Sequence, residues 1–529
     1  MTWRARVGRL TLALSLLSGA LTHAYNLFNY PLYITDEGIY IQQAWSVLRE
    51  SRLSPYTYFY DHAPAGWLAI AGWVALLPSQ FQTFGNAIDT GRALMVLAHV
   101  ASTFFLFRIT ARLSGSTAGA ALAAFLFNVS PLALFYQRQV LLDNLMVVWV
   151  LLTLYLLTGG ADWRSGDLRI VSAILGGLTF GVAVLTKENA IFFAPIVAYV
   201  LFRRLRGQMN YRFSLGFWSF SAFSMVSLYF LYATLKNELF PSGLSFDLST
   251  PPADHVSLLY TIWWQLHRSQ GSILDTSSPV WQFSLGAWLP KDTFILVAGG
   301  AAAVVNLAIG LLSRGRRREG VIAASLALSY GLYLARGSQM LEFYVVPLLP
   351  FLAMNVGLLA ARVVARLPML LRAVPVLGLM AVFVLNPAWG YVLVIDQFGH
   401  VVPHDLYKLD QTSMQAQQLQ WIRQHIPPDA KLIIDDDMWA DLHDEKPYYK
   451  WAHSHYKAAS DPDVRDKLFG KDWRNIDYII MSNKMRQAML LNNGDGGETW
   501  ILQALDHAKP VWSVEGGDVK LEIDQVIKS

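Results

Sequence analysis

The chain has 529 residues, 54% hydrophobic and 13% aromatic, with only 15% charged. Soluble domains carry about 25% charged residues, so the composition excludes an ordinary soluble protein over most of the length. The net charge of +4 is small, and the lack of cysteine rules out disulfides, thiolate metal sites and cysteine nucleophiles.

The first apolar run, Val7 to Phe28, follows Arg4 and Arg6 and so begins like a signal peptide. It is long enough to span a bilayer and further apolar segments follow it, which favours a retained span. Apolar windows predict spans near 8–28, 91–111, 117–135, 141–158, 170–186, 189–203, 213–235, 291–312, 320–335, 343–361 and 373–395, about eleven in all. The 65–77 stretch falls short of the roughly 20 residues a span needs. It reads as a re-entrant or interfacial helix, with Trp67 and Trp73 suited to the headgroup zone.

Arginine tests this count. With the N-terminus inside, the inner turns hold Arg4, Arg6 and Arg9, then Arg108 and Arg112, then Arg164 and Arg169. Later ones hold Arg203, Arg204, Arg206 and Arg212, then Arg314 and Arg316 to Arg318, then Arg362, Arg366 and Arg372. That is the positive-inside pattern. Omitting the short 189–203 span would put the Arg203–Arg212 and Arg314–Arg318 clusters on opposite sides, so the span stays. An inner loop also explains the Arg314–Arg318 run without a nucleic-acid partner.

Two regions follow: a membrane module over 1–395, with a long outer loop at 29–90, and an extracytoplasmic segment over 396–529. In the second, Ser413–Ile426 is amphipathic and stops at Pro427-Pro428. Lys431–Ile434 and Tyr478–Met481 read as buried strands, and Val519–Ile523 alternates as an edge strand would. The expected fold is therefore an α-helical polytopic membrane protein with a small C-terminal α/β domain.

Ionisable side chains near a bilayer are costly, which makes each a functional candidate. The outer set is Asp36, Glu37, Asp61, His62, Arg138, Asp143, Lys187, Glu188, His255, His267, Arg336 and Glu342, with Tyr344 following the last. Asp36-Glu37 could supply a general base, although acids in the first turn of a helix at 38–49 are also ordinary. Asp61-His62 opens the short helix, where capping competes. His62, with His255 or His267 as distant ligands, is the candidate site for a divalent metal cofactor. Arg138 suits a phosphate or an ion pair with Asp143, and Lys187-Glu188 is a solvated turn or a buried functional pair. Arg336 either binds phosphate or snorkels to headgroups. Asp435-Asp436-Asp437 resembles an acidic nucleotide-sugar motif but reads as a solvated loop. Asn128-Val129-Ser130 is a glycosylation sequon inside a span.

Taken in order, Asp36-Glu37-Gly38, Tyr60-Asp61-His62-Ala63-Pro64, Arg138-Gln139-Val140-Leu141-Leu142-Asp143-Asn144, Leu185-Thr186-Lys187-Glu188 and Phe343-Tyr344-Val345-Val346-Pro347-Leu348-Leu349-Pro350 resemble one family. It is the glycosyltransferase-C superfamily, in the branch with protein O-mannosyltransferases and the aminoarabinose transferase of lipid A. The likeness covers roughly residues 8–395, and the tail resembles the extra domain of many bacterial members. Ala63 stands where members often have the first of two prolines, and His62 stands where others carry Lys. An unperturbed imidazole, with a pKa near 6.5, is largely uncharged at neutral pH.

The resemblance implies inverting transfer of one sugar from a polyprenyl-phosphate donor to a lipid, glycan or protein acceptor. The reaction would occur at the outer face of a bacterial cytoplasmic membrane. Asp36 is then the first choice for the base and Glu37 the second, with Asp61 supplying further negative charge. Arg138, Lys187 and Arg336 would stabilise the phosphate. The rival reading is a transporter or flippase of lipid-linked sugars, but the inverted symmetry usual in transporters is not evident in the sequence.

Overall fold

The N-terminal helix Trp3–Ala24 exposes Leu10, Leu14, Leu17 and Leu21 along one stripe. Large apolar side chains recurring every three or four residues on an outer face are placed for lipid, since water would penalise so continuous a patch. The computed structural model describes the whole chain except residues 1–2, 160–165, 206–210, 245, 247–255, 268–271, 273, 314, 337–339, 369–370, 388–389, 397, 492–498, 518 and 529. His255 and the predicted inner-loop residues Arg164, Arg206 and Arg314 lie outside the described residues.

Six helices among the described residues are long and apolar enough to cross a membrane. They are Ala87–Ser114, Leu142–Gly159, Arg169–Thr186, Tyr211–Leu235, Thr293–Leu312 and Glu342–Val364. The other predicted windows are helical over most of their length, without meeting both criteria, and the expected span at 373–395 is corrected: its helix is Ala373–Leu385, and Leu393–Ile395 is a strand. The 117–135 window, for example, breaks into Thr117–Val129 and Pro131–Tyr136, because Pro131 starts a new helix capped by the Ser130 hydroxyl.

The chain divides into two compact units. The first comprises Met1–Asn26, Met95–Tyr232 and His267–Lys408. Its interior is closed by small residues, as lipid-immersed helices require. A Cβ on Gly119 would lie 2.6 Å from the Gly357 carbonyl oxygen, and one on Gly357 would lie 2.4 Å from that of Gly119. Helices Thr117–Val129 and Leu349–Val364 therefore meet backbone to backbone. Glu319 joins Arg203 at 3.1 Å and Arg204 at 3.3 Å, and Arg203 also donates to the Arg318 carbonyl. These contacts hold the Arg203–Arg204 pair and the loop before Gly320 at the same end of this unit, as the arginine pattern requires. A short antiparallel pair, β1 (Leu393–Ile395) with β2 (Val401–Pro403), also belongs to it.

The second unit comprises Leu27–Leu94, Ala233–Leu266 and Leu409–Ser529. Its sheet is built from β3 (Leu432–Ile434), β4 (Ala452–Ser454), β5 (Tyr478–Ser482), β6 (Ala508–Gly516) and β7 (Val519–Val526), in the order β4-β3-β5-β7-β6. β3 is parallel to β4 and β5, and β7 is antiparallel to β5 and β6. The expected edge strand is thus interior. β6 pairs along the outer side of β7, and the alternation of Val519, Leu521 and Ile523 reflects one buried face of an inner strand. Helix Thr412–His425 appears where amphipathicity predicts it and ends before Pro427.

Two further expectations are corrected here. In the short helix Ala65–Ala75, Trp67 is buried beside Tyr58, and the half-buried Trp73 donates to the Thr90 carbonyl at 2.9 Å. Trp67 serves packing, not headgroups. The Asp435–Asp437 run is not a solvated loop either, because it is pressed against helix Thr35–Glu50. A Cβ on Gly38 would lie 2.1 Å from the Asp436 carbonyl oxygen and 2.6 Å from the Asp437 nitrogen. Only glycine lets the two backbones approach this closely. Gly38→Ala is expected to cost about 1–3 kcal/mol, the usual range for overpacking, read as a lower melting temperature in detergent. An unchanged melting temperature would mean the contact is looser than described.

Candidate functional site

The predicted residues fall into two groups, one in each unit. In the second unit, helix Thr35–Glu50 starts immediately after Ile34, and Asp36 and Glu37 occupy its first turn. Negative charge there suits the exposed N–H groups and the helix dipole. Their environments then diverge. Glu37 is fully buried and receives two bonds from Arg92, Nε to Oε1 at 2.8 Å and Nη2 to Oε2 at 2.7 Å. It also accepts from the Ile34 nitrogen at 3.3 Å. Arg92 spends its remaining donors on the carbonyls of Leu27, Pro31 and Leu32. This forked pair locks the first loop to the start of the helix.

Asp36 is half-buried and lies 3.5 Å from the Tyr40 hydroxyl. It is close enough to Tyr456 to help hold that phenol above its ordinary pKa, after burial, Asp436 and Tyr56. Asp61, also half-buried, acts on Lys457. Lys457 is buried with its ammonium 3.7 Å from the centre of the Phe59 ring. Burial lowers its pKa to about 8 against the opposing pull of Asp61, Asp461 and Asp436. His62 contributes its carbonyl to the Tyr58 hydroxyl at 2.8 Å, and its ring centre lies 6.4 Å from that of Tyr40. Sequence reasoning missed Arg92, Tyr456 and Lys457. Arg92 carried a signal, being an arginine inside a predicted span. The other two sit in a polar stretch where nothing sets them apart.

Asp436 and Asp437 lie directly beneath this helix. Burial, reinforced by Asp435, pushes both well above the usual carboxylate range. Asp435 accepts from the Thr35 hydroxyl at 2.7 Å, and Gln415 donates to Asp437. The acidic run therefore supports the helix that carries Asp36.

The pKa of Lys457 gives a signed prediction. Below pH 8 it is protonated both folded and unfolded, and the fold carries the full cost of burying an ammonium. Between about 8 and 10.4 the folded chain sheds the proton while the unfolded chain keeps it, so stability rises with pH. Lys457→Met is expected to flatten that rise in a melting series. A series of unchanged slope would refute the burial of a charged Lys457.

In the first unit, Asp143 and Lys187 form a buried pair at 2.5 Å. Lys187 also lies 4.2 Å from the centre of the Tyr344 ring and 5.0 Å from that of Phe343. Asp143 thus pairs with Lys187, not with Arg138 as its nearness in sequence suggested. Arg138 is buried and donates to the carbonyls of Thr22 at 2.7 Å and Leu406 at 3.0 Å. Next to Tyr344, Glu342 accepts from the Tyr136 hydroxyl at 2.7 Å and from Lys291 at 3.3 Å. Lys291 is a half-buried cation that sequence reasoning passed over because it begins a predicted span. Glu188 is half-buried at the start of a 3-10 turn, and Arg336 is half-buried at the end of helix Gly320–Ala335. Among the described residues no three His, Cys, Asp or Glu side chains are grouped to hold a metal ion, and His267 is exposed.

This arrangement is a polytopic, lipid-facing helical module with charged groups at its helix ends, in a chain that also carries an α/β sheet. Residues 62–232 match the family described as dolichyl-phosphate-mannose-protein mannosyltransferase. ArnT from Cupriavidus metallidurans, solved bound to undecaprenyl phosphate, is 14% identical and covers 99% of each chain with a TM-score of 0.58. The apo oligosaccharyltransferase of Archaeoglobus fulgidus is 12% identical over 95% of this chain and 73% of its own, with a TM-score of 0.60. AglB from Archaeoglobus fulgidus, solved with an inhibitory peptide and a dolichol-phosphate, is 12% identical over 98% and 74% with a TM-score of 0.57. No curated protein sequence matches the chain.

Proposed function

We propose that this protein is an inverting glycosyltransferase that moves one sugar from a polyprenyl-phosphate donor to an acceptor hydroxyl. The observation that carries the reading is Asp36, a half-buried carboxylate in the first turn of a helix fixed by the Glu37–Arg92 pair. The structural neighbours support it, since one was solved with undecaprenyl phosphate and another with a dolichol-phosphate. In the reaction the acceptor oxygen attacks the anomeric carbon opposite the phosphate. The carbon–oxygen bond to phosphate breaks, polyprenyl phosphate departs, and the hydroxyl proton passes to Asp36. Asp61 adds negative charge for the oxocarbenium-like transition state. Arg138, Lys187 and Arg336 are the assigned phosphate-stabilising cations, and Lys291 joins them as a half-buried ammonium. Glu37, wholly engaged by Arg92, becomes a positioning residue.

The same reading puts the enzyme in a bacterial cytoplasmic membrane with eleven crossings, the N-terminus inside and residues 396–529 outside. The test is transfer of radiolabelled sugar from a polyprenyl-phosphate donor to membrane extract by purified protein. Labelled acceptor with inverted configuration is the expected product. Movement of intact donor across a vesicle bilayer without transfer would overturn the proposal in favour of a flippase.

A further inference from the structure

The second unit also contains a cavity of about 270 Å³, lined by none of the groups assigned above. Small-molecule pockets run from about 300 Å³ upward, so this one has room for a single ring. Its floor is Tyr56 and Trp439, both buried, and its walls are Trp45, His443 and His453. Tyr448, Lys450 and Glu50 form an exposed rim.

The hydrogen bonds beneath the cavity set the chemistry of both imidazoles. Trp439 Nε1 can only donate, and it gives its proton to the Tyr56 hydroxyl at 2.9 Å. That hydroxyl is left to donate to His453 Nδ1, also 2.9 Å away. His453 Nδ1 is therefore an acceptor, and its ring proton sits on Nε2. His443 is opposite in sense. Its Nδ1 lies 2.8 Å from the Trp439 carbonyl, which can only accept, so Nδ1 holds the proton and Nε2 is bare. Burial lowers the two pKa values to about 4 and about 3 for His443 and His453, so both rings are neutral at pH 7. Their centroids lie 6.4 Å apart. The pair thus offers one fixed N–H donor and one fixed acceptor among aromatic walls.

A purely apolar guest has no use for such a pair, and an ionic guest would meet two neutral rings at the walls, with Glu50 and Lys450, of opposite sign, confined to the exposed rim. A pyranose matches both features, having C–H faces that lie on aromatic carbon and hydroxyls that donate and accept. We infer that this cavity is a binding subsite for one pyranose ring of a saccharide, gripped by His443 and His453 between Trp45 and the rim residue Tyr448. Occupancy does not depend on the transfer reaction, so the site can be tested by binding alone.

The experiment uses the full chain in a detergent without a sugar headgroup. It is titrated with the methyl glycosides of glucose, mannose, galactose and N-acetylglucosamine, and tryptophan fluorescence and saturation-transfer NMR are recorded. At least one glycoside is expected to give a saturable response. His443→Phe keeps the stacked ring on Trp439 but removes the acceptor, and should weaken binding about tenfold. Tyr448→Ala, an exposed change that leaves the fold untouched, should weaken it too. No saturable response to any of the four glycosides would overturn the inference. So would equal binding by both variants, or a response confined to indole and alkyl probes.

Discussion

Asp36→Asn is expected to lower the rate of sugar transfer by about 10²–10⁴-fold, the usual contribution of a positioned general base. The amide has nearly the same shape and can still accept from Tyr40, so helix Thr35–Glu50 keeps its first turn. What it loses is basicity, together with a favourable charge near the helix N-terminus worth about 0.3–1 kcal/mol. The signature is a collapse of turnover with donor affinity and melting temperature close to those of the unmodified chain. Asp61→Asn should show a smaller loss, since its proposed role is electrostatic and not proton transfer. Full activity in the Asp36 variant would remove the base assignment and leave Asp61 as the remaining carboxylate of the group.

The largest effect on stability is expected at Arg92. Its guanidinium and the Glu37 carboxylate are both fully buried and joined by two hydrogen bonds. Arg92→Leu leaves a buried carboxylate without its counter-charge and strands the carbonyls of Leu27, Pro31 and Leu32. A loss of about 3–5 kcal/mol is usual for breaking such a pair from one side. The double variant Glu37→Leu/Arg92→Leu should recover part of that loss, because two apolar residues pay no desolvation penalty. Thermal unfolding of both variants in the same detergent provides the comparison. If the double variant is no more stable than Arg92→Leu, the lost carbonyl contacts dominate and the pair is not the main anchor.

These two predictions separate neighbours that sequence alone treats alike. Asp36 and Glu37 are adjacent acids, and either could be the base on spacing. Only burial distinguishes them, because Glu37 turns inward onto Arg92 while Asp36 remains half open. The same holds for the cations. Arg138 lies five residues before Asp143 in the chain, yet Asp143 is taken by Lys187 at 2.5 Å.

Several features were determined by the sequence itself. Lipid demands long apolar helices and penalises every charge, so hydropathy located the apolar helices, six of which among the described residues are long and apolar enough to cross a membrane. Proline stops and local periodicity placed helix Thr412–His425 and strands β3 and β5, since those signals act over a few residues. The carboxylates Asp36, Glu37 and Asp61 could be identified as candidates for the same reason, because a charge beside lipid stands out against its neighbours.

Tertiary structure decided what depends on distant partners. Gly38 is compelled by a backbone about four hundred residues away, at Asp436. The Asp435–Asp437 run reads as solvent-exposed until that helix covers it. β7 looks like an edge until β6 pairs with it, and Lys457 looks like an ordinary surface lysine until Phe59 and Asp61 surround it. Asp36 and Glu37 are thus distinguished by packing. Charge made them visible in the sequence, and burial, which no local pattern encodes, engages Glu37 with Arg92 and leaves Asp36 half open.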